Sequence, residues 1–294
     1  MTAVGAADFN GTVHLALPKG RMQDGVLELL ADAGIRVTFG RRGYRPSISL
    51  DGFETKLLKP QNIVEMLHLG SRDVGFAGAD WVVEKQAELV ELLDTGLDPV
   101  RIVAAAPPRL ADKAELARAP FIVASEYERL TRDWLARERL RATFVRSFGA
   151  TEVFPPEDAD VIVDNAATGE TLQANGLVVV DELMRSSTRL FAHPRALDEP
   201  ARRERVETLA LLLRSVLDAR DRVMLEVNVT AGNLEAVIDV LPSMREPTMS
   251  PLHGEQGFAL KAAVPRRDLP RVIPEIKARG GTDIVVTALA QIVP

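Results

Sequence analysis

The strongest constraint on the fold of this chain is a succession of short apolar runs separated by helical patterns. Val13-His14-Leu15-Ala16-Leu17 stops at Pro18-Lys19-Gly20-Arg21, and Val26, Leu27, Leu29, Leu30 and Ala33 then recur at helical spacing up to Gly34. Ile63 to Leu67 before Gly70 reads as the end of a helix, Val74 to Gly78 as a buried strand leading into Asp80, and Val100 to Ala106 as a strand closed by Pro107-Pro108. A strand wet on one face alternates polar with apolar residues, whereas a continuous apolar run must be covered on both. The pattern therefore predicts an α/β protein whose parallel sheet lies between helices.

After Pro107-Pro108 a second α/β unit begins, with strands at Phe121–Ala124, Thr143–Val145 and Val161–Val163 and helices over 130–137 and 170–174. Val178–Val180 and Thr188–Ala192 read as further strands. Arg202 to Asp218 is an amphipathic helix that links back to the first unit. From Arg222 the texture changes: Met224 to Val229 alternates, and a β-α-β-β-α-β order fits into roughly 70 residues, the size of a separate small α+β domain. No repeat, low-complexity tract or heptad pattern is visible.

The chain has 294 residues, more than one compact core usually organises. A net charge of −6 argues against a nucleic-acid coat protein, so anionic ligands must be met by local clusters of Lys, Arg and backbone N–H groups. With no cysteine, thiolate zinc sites and cysteine nucleophiles are excluded. Met1 to Asn10 lacks the features of a signal peptide and no run approaches the length of a membrane span, which predicts a cytoplasmic protein with a frayed N-terminal arm. His14 reads as a structural histidine within a strand. His68, His193 and His253 lack metal-ligand spacing, so no zinc is expected.

The segment Asp164-Asn165-Ala166-Ala167-Thr168-Gly169-Glu170-Thr171-Leu172 lies between an apolar strand and a helix. A Thr-Gly turn at a helix start offers backbone N–H groups and two hydroxyls to a phosphate, and Asp164 at the strand end can reach ribose hydroxyls or a metal. Thr-Gly turns and capping threonines are also common without any ligand. On the residues alone, both readings stand.

The segment resembles the phosphoribosyl-pyrophosphate loop of the ATP phosphoribosyltransferases, and the resemblance extends in both directions. Pro18-Lys19-Gly20-Arg21 is similar to that family's N-terminal turn, and Asp73-Val74-Gly75-Phe76-Ala77-Gly78-Ala79-Asp80 to its Asp-Leu-Gly-x-x-Gly-x-Asp segment. Gly149-Ala150-Thr151-Glu152-Val153, Leu172 to Leu177, Met184-Arg185-Ser186-Ser187-Thr188-Arg189-Leu190 and Leu241 to Leu252 follow in family order. The chain departs from the pattern in being one residue shorter between Glu152 and Asp164, in carrying Pro155-Pro156-Glu157, and in having Asn165 where an aliphatic residue is usual.

The resemblance implies a bilobal catalytic core like a type II periplasmic binding protein, with a small C-terminal ACT-like (ferredoxin-like) α+β domain. The expected division is 1–107 with 189–219, 108–188, and 220–294. It implies transfer of the phosphoribosyl group of phosphoribosyl pyrophosphate (PRPP) to N1 of ATP, the first step of histidine biosynthesis, with Mg²⁺ as cofactor. Lys19, Arg21, Glu152 and Asp164 are the expected catalytic residues. ATP is expected at Lys19, Gly20, Arg21 and Asp80, PRPP at Asp164, Thr168, Gly169, Glu170 and Thr171, and Mg²⁺ at Glu152 and Asp164. Asp80 has a rival reading as the cap of a helix starting at Trp81. Histidine is the expected inhibitor, at Asn228, Met244, Thr248, Ala263, Thr282 and Asp283, in a homohexamer built from dimers. Neither nucleic acid nor membrane is an expected partner. The alternatives are a solute-binding or sensory protein on the same scaffold and a catalytically dead regulatory paralogue.

Overall fold

A computed structural model describes residues 11–40, 43–254 and 257–294. The expected N-terminal arm, Met1 to Asn10, lies outside them. The chain divides into two compact units, Ile35–Ala210 together with the chain up to Glu28, and Leu211–Pro294 together with Leu29–Gly34.

The first unit begins with β1 (Val13–Pro18), α1 (Met22–Asp32, whose last turn belongs to the second unit), the short pair β2 (Val37–Thr38) and β3 (Ser47–Ile48), and β4 (Phe53–Leu58). Next come α2 (Pro60–His68), β5 (Val74–Gly78), α3 (Ala79–Lys85) and a 17-residue strand, β6 (Val90–Ala106). The chain continues through α4 (Lys113–Arg118), β7 (Phe121–Ser125), α5 (Glu128–Arg137), β8 (Ala142–Arg146), β9 (Val161–Ala166), α6 (Glu170–Ala174), β10 (Val178–Ala192) and α7 (Pro200–Arg220). The helices follow their sequence signals. Pro60, with φ already fixed, opens α2, which buries Ile63, Val64 and Leu67; α5 buries Leu130, Thr131, Trp134 and Leu135 one turn apart.

Apart from the separate pair β2-β3, the strands form one sheet in the order β4-β1-β5-β10-β6-β9-β7-β8. It is mixed, where the apolar runs predict a parallel sheet. Each flank is parallel, β4-β1-β5 on one side and β9-β7-β8 on the other, but β10 runs antiparallel to β5 and β6, and β6 antiparallel to β9. The two strands expected at 178–180 and 188–192 are a single β10, and β6 starts ten residues before the apolar run at Val100. Asp94, Thr95 and Asp98 obscured it: polar side chains satisfied by β10 make a strand that has no apolar signature. These two long strands carry the chain between the flanks. Their pairing slips repeatedly, notably between Ser186 and Thr188 opposite Val100 and Leu97. Gly96 and Asp98 there take positive φ, at 65° and 47°.

Packing covers both faces, as the continuous runs require. Leu15, Phe76, Ile102, Val123 and Ile162 are fully buried, and Trp134 and Tyr127 are nearly so. Truncating Phe76 to Ala would cost about 3–5 kcal/mol.

The second unit adds β11 (Arg222–Val229), α8 (Leu234–Ile238), β12 (Thr248–Pro251), β13 (Phe258–Pro265), α9 (Leu269–Ala278) and β14 (Thr282–Ala288). Its sheet, β12-β13-β11-β14, is antiparallel throughout. β11 alternates half-buried and buried positions, so the alternating text reflects one covered face, on which Val223, Leu225, Val227 and Val229 meet Val237, Val272 and Ile276. β12 and β14 are the sheet's edge strands.

Candidate active site

Two adjoining cavities open in the first unit where the crossing strands meet the flanks. They share Arg21 and Asn165 in their walls.

The larger, about 350 Å³, is lined by Lys19, Arg21, Asp80, Trp81, Tyr127 and Asn165 among others, with Asp98, Val100 and Ser186 to Thr188 at the strand crossing. Lys19 and Arg21 come from the turn after β1, where Lys19 Nζ stands 5.3 Å from the centre of the Tyr44 ring. Asp80 lies in the first turn of α3, which starts at Ala79, so it does not cap a helix beginning at Trp81. Its carboxylate is buried and accepts two hydroxyls, Tyr127 Oη–H at 2.7 Å and Ser186 Oγ–H at 2.6 Å, while its own N–H donates to Ser186 Oγ at 3.1 Å. Gly78 makes room for this arrangement: a Cβ there would stand 2.1 Å from Asp80 Oδ1.

Tyr127 is set by its own strand end. Ser125 Oγ donates to the Val163 carbonyl at 2.5 Å and accepts the Tyr127 N–H at 2.8 Å. The Glu84 carboxylate of α3 takes the N–H groups of Arg129 and Leu130, two otherwise orphan donors at the start of α5. The Tyr127 ring stacks on Trp81 with centroids 4.6 Å apart. Burial first, and then the negative charge of Asp80, push the Tyr127 hydroxyl well above its ordinary range, so it stays a proton donor. Tyr127, Trp81 and Ser186 were not singled out from the sequence as site residues. The one available signal for Tyr127 was its position immediately past the end of an apolar strand, where parallel sheets place their sites.

The second cavity, about 240 Å³, is built by Glu152, Asp164, Asn165, Thr168, Gly169 and Thr171 with Arg21. Gly169 precedes α6 with φ 85°, a conformation that a side chain would strain, and Thr168 Oγ1 accepts the Glu170 N–H at 3.3 Å. Thr168, Glu170 and Thr171 are exposed, and Glu170 stands outside the cavity wall. Asp164 Oδ1 accepts the Asn165 N–H at 2.7 Å and its Nδ2–H at 3.1 Å. Burial, followed by the charges of Glu152 and Glu126, raises the Asp164 carboxyl to about 6. Glu126, at the end of β7, is a further acid that the sequence reading missed.

The structure thus brings together Lys19, Arg21 and Asp80 at one cavity, with Gly20 on the turn between the two cations but not in the wall, and Glu152, Asp164, Thr168, Gly169 and Thr171 at its neighbour. His14, read as structural, has its N–H and Nδ1 at 2.7 and 3.0 Å from Asp73 Oδ2. In the second unit the six positions expected to meet histidine fall into two groups. Met244, Thr248 and Ala263 line a cavity of about 280 Å³ near Met224 of β11. Asn228, Thr282 and Asp283 cluster four residues farther along β11, where Asn228 Nδ2–H donates to Asp283 Oδ2 at 3.1 Å and Thr282 Oγ1–H stands 3.2 Å from the same oxygen. Four residues of strand span about 13 Å, so one chain does not gather all six around one small ligand.

Residues 59–215 match the model of the ATP phosphoribosyltransferase family, and residues 219–291 match that of the HisG C-terminal domain. The chain belongs to the ATP phosphoribosyltransferase family. The ATP phosphoribosyltransferase of Chlorobium luteolum is 36% identical over 280 residues, covering 94% of this chain and 95% of that one. That of Pelotomaculum thermopropionicum is 33% identical over 287 residues, covering 96% and 99%. Among solved structures, the ATP phosphoribosyl transferase (HisG:HisZ) complex from Thermotoga maritima superposes with a TM-score of 0.62 at 24% identity, covering 70% of this chain and 99% of that one, a likeness of fold. The family's enzymes are pentosyltransferases that catalyse the first step of histidine biosynthesis, and the solute-binding reading gives way to this one. No helix among the described residues is long and apolar enough to cross a membrane.

Proposed function

We propose that this chain joins ATP to PRPP, with N1 of the adenine attacking C1 of the ribose as pyrophosphate leaves with the electrons of the C1–O bond, giving 1-(5-phosphoribosyl)-ATP with inversion at C1. The observation that supports this best is the pair of adjoining cavities sharing Arg21 and Asn165: a two-substrate displacement needs two sites that meet at the reacting atoms. ATP takes the cavity walled by Trp81, whose ring offers the adenine a stacking face, and Asp80 holds the neighbouring hydroxyls in place. PRPP takes the other, its 5′-phosphate on Thr168, Gly169 and Thr171 and its ribose hydroxyls on Asp164 and Glu152. Lys19 and Arg21 face the pyrophosphate, where negative charge grows as the bond breaks.

Mg²⁺ bound to the pyrophosphate would neutralise part of that charge. The donors present suit it. Asp164 and Glu152 are hard oxygen ligands that repel one another, and among the described residues no cluster of three or more acids or histidines forms a cage. Such a site leaves the remaining coordination to substrate oxygens and water, the arrangement this ion favours.

In the proposed regulation histidine binds the second unit. The two separated groups of its six positions are completed by a second copy within a cytoplasmic homohexamer built from dimers. The exposed edge strands β12 and β14, with Met249, Val285 and Val286 at their surfaces, offer faces for that assembly.

The test of the reaction is to mix protein, ATP, PRPP and Mg²⁺ and follow the near-ultraviolet absorbance of N1-substituted adenine. The signal should vanish in excess EDTA and return with Mg²⁺; turnover in EDTA would overturn the metal's role. Thr248→Ala should stay active and lose sensitivity to histidine, and unchanged inhibition would remove that loop from the regulatory site.

A further inference from the structure

A further cavity lies apart from the two in the first unit. It occupies about 590 Å³ in the second unit, between the last turn of α7, the start of β11, the end of β13 and the turn that opens α9. Its walls carry four guanidiniums, Arg220, Arg222, Arg266 and Arg267, against two carboxylates, Asp218 and Asp221, in a chain whose net charge is −6.

Two of these cations are committed to neighbours. Arg220 Nη2 donates to Asp32 Oδ2 at 2.9 Å, and Arg267 Nε stands 3.9 Å from Asp268. Arg222 and Arg266 are not: among the described residues neither side chain has a hydrogen-bond or ion-pair partner, although Arg222 is half-buried. The Arg266 N–H is held on the Asp221 carbonyl at 2.9 Å, which ties the start of one wall to the other. Like charges converging on one cavity repel, and the cost is relieved when an anion enters. Guanidiniums in particular match the oxygens of a phosphate in pairs. A free phosphate would fill little of this volume, which lies within the range of organic ligand sites. Met244 and Pro265 supply an apolar wall for the rest of such a molecule.

We propose that this arginine-lined cavity is a second ligand site, which takes a small organic phosphate of nucleotide size. Met244 also walls the 280 Å³ cavity that contains Thr248 and Ala263, so the two cavities are neighbours through one flexible side chain.

Hydrogen exchange on the full-length protein, resolved by segment, tests the site without relying on activity. Adenosine monophosphate should slow exchange in segments 220–224 and 264–268, and adenosine should not. Inorganic phosphate, added alone, separates the two sources of the same chemistry: equal protection means that the site reads the phosphate group by itself, weaker protection that the organic part contributes. Replacing Arg222 and Arg266 together by Gln should weaken nucleotide protection in these segments by about tenfold or more, while leaving protection of segment 78–85 and the melting temperature unchanged. Protection limited to the catalytic segments, or protection in 220–224 and 264–268 that the double substitution leaves intact, would overturn the proposal.

Discussion

Asp80 and Asp164 sit in adjoining cavities of one unit, yet their surroundings are opposite. Asp80 is buried and answered: two hydroxyls donate to it, and its own N–H closes the ring through Ser186. Asp164 is crowded: it accepts from its neighbour Asn165 and from the Thr151 hydroxyl, but burial and the negative charges of Glu152 and Glu126 outweigh these donors. A carboxylate satisfied by protein groups serves to fix geometry. One left in a field of like charge is poised for a cation or a ligand's hydroxyls, and stability is given up to keep it so.

The sharpest way to break this comparison is to neutralise each acid in turn. Asp164→Asn should lower kcat by about 10²–10³-fold, as loss of a preorganised polar group at a reacting centre does, while raising stability above pH 6 by on the order of 2 kcal/mol. Asp80→Ala should go the other way in stability, losing about 3 kcal/mol because the Tyr127 and Ser186 hydroxyls are left without their acceptor. Steady-state kinetics and thermal melts on both proteins decide it, and destabilisation by Asp164→Asn would end the contrast.

A somewhat smaller effect separates the two substrates. Replacing Thr168 and Thr171 together by Ala removes two hydroxyls that the proposed reading gives to the 5′-phosphate, each such bond being worth about 1.5 kcal/mol or more. The KM for PRPP should rise about 100-fold, and that for ATP only slightly. A near-normal KM for PRPP would show that the loop holds something else.

Much of this contrast was legible in the sequence, for a physical reason. The proposed phosphate cradle is local: Asp164, Thr168, Gly169 and Thr171 follow one another on a strand, a turn and a helix start, so their spacing alone suggests it. Asp80 was visible as a strand-end acid and, through the family resemblance, as an expected ATP residue, but its partners were not. Its partners Tyr127 and Ser186 lie 47 and 106 residues away, and nothing local marks them. The same holds for the fold. Helices and buried strands were legible from periodicity, but the mixed sheet was not, because the antiparallel crossing depends on β6 and β10, whose polar stretches around Asp94–Asp98 and Arg185–Thr188 satisfy one another only once paired. In the second unit the β-α-β-β-α-β order is close to what the alternation at Met224–Val229 predicts, since a half-covered antiparallel sheet writes its period directly into the sequence.

Tyr127→Phe probes the answered side alone. The ring and its stacking on Trp81 remain, and one donor to a buried carboxylate is lost, which should cost about 1.5–2 kcal/mol of stability. The KM for ATP should rise with little change for PRPP. Equal changes for both substrates would mean that Tyr127 supports the whole crossing rather than the Asp80 cavity.

The smallest effect is the dependence of stability on pH, and its sign follows from Asp164. Its carboxyl is raised to about 6 by burial, Glu152 and Glu126, against an ordinary value of 3.8. Between those two values the folded protein holds a proton that the unfolded chain has released, so stability falls as pH rises through the window. The contribution is complete below the unfolded value and is lost once pH passes about 6. From pH 5 to pH 7 this group alone should destabilise the protein by on the order of 1 kcal/mol. Activity should move in the opposite sense, because the ionised carboxylate is the form that accepts ribose hydroxyls or binds a divalent cation, so kcat/KM for PRPP should climb through an apparent value near 6. Denaturant titrations at pH 5 and pH 7 on the parent and on Asp164→Asn isolate the effect: the difference between the two proteins should shrink as the pH is lowered. A difference that stays constant across that range would mean that Asp164 ionises at its ordinary value, and the contrast with Asp80 would then rest on hydrogen bonding alone.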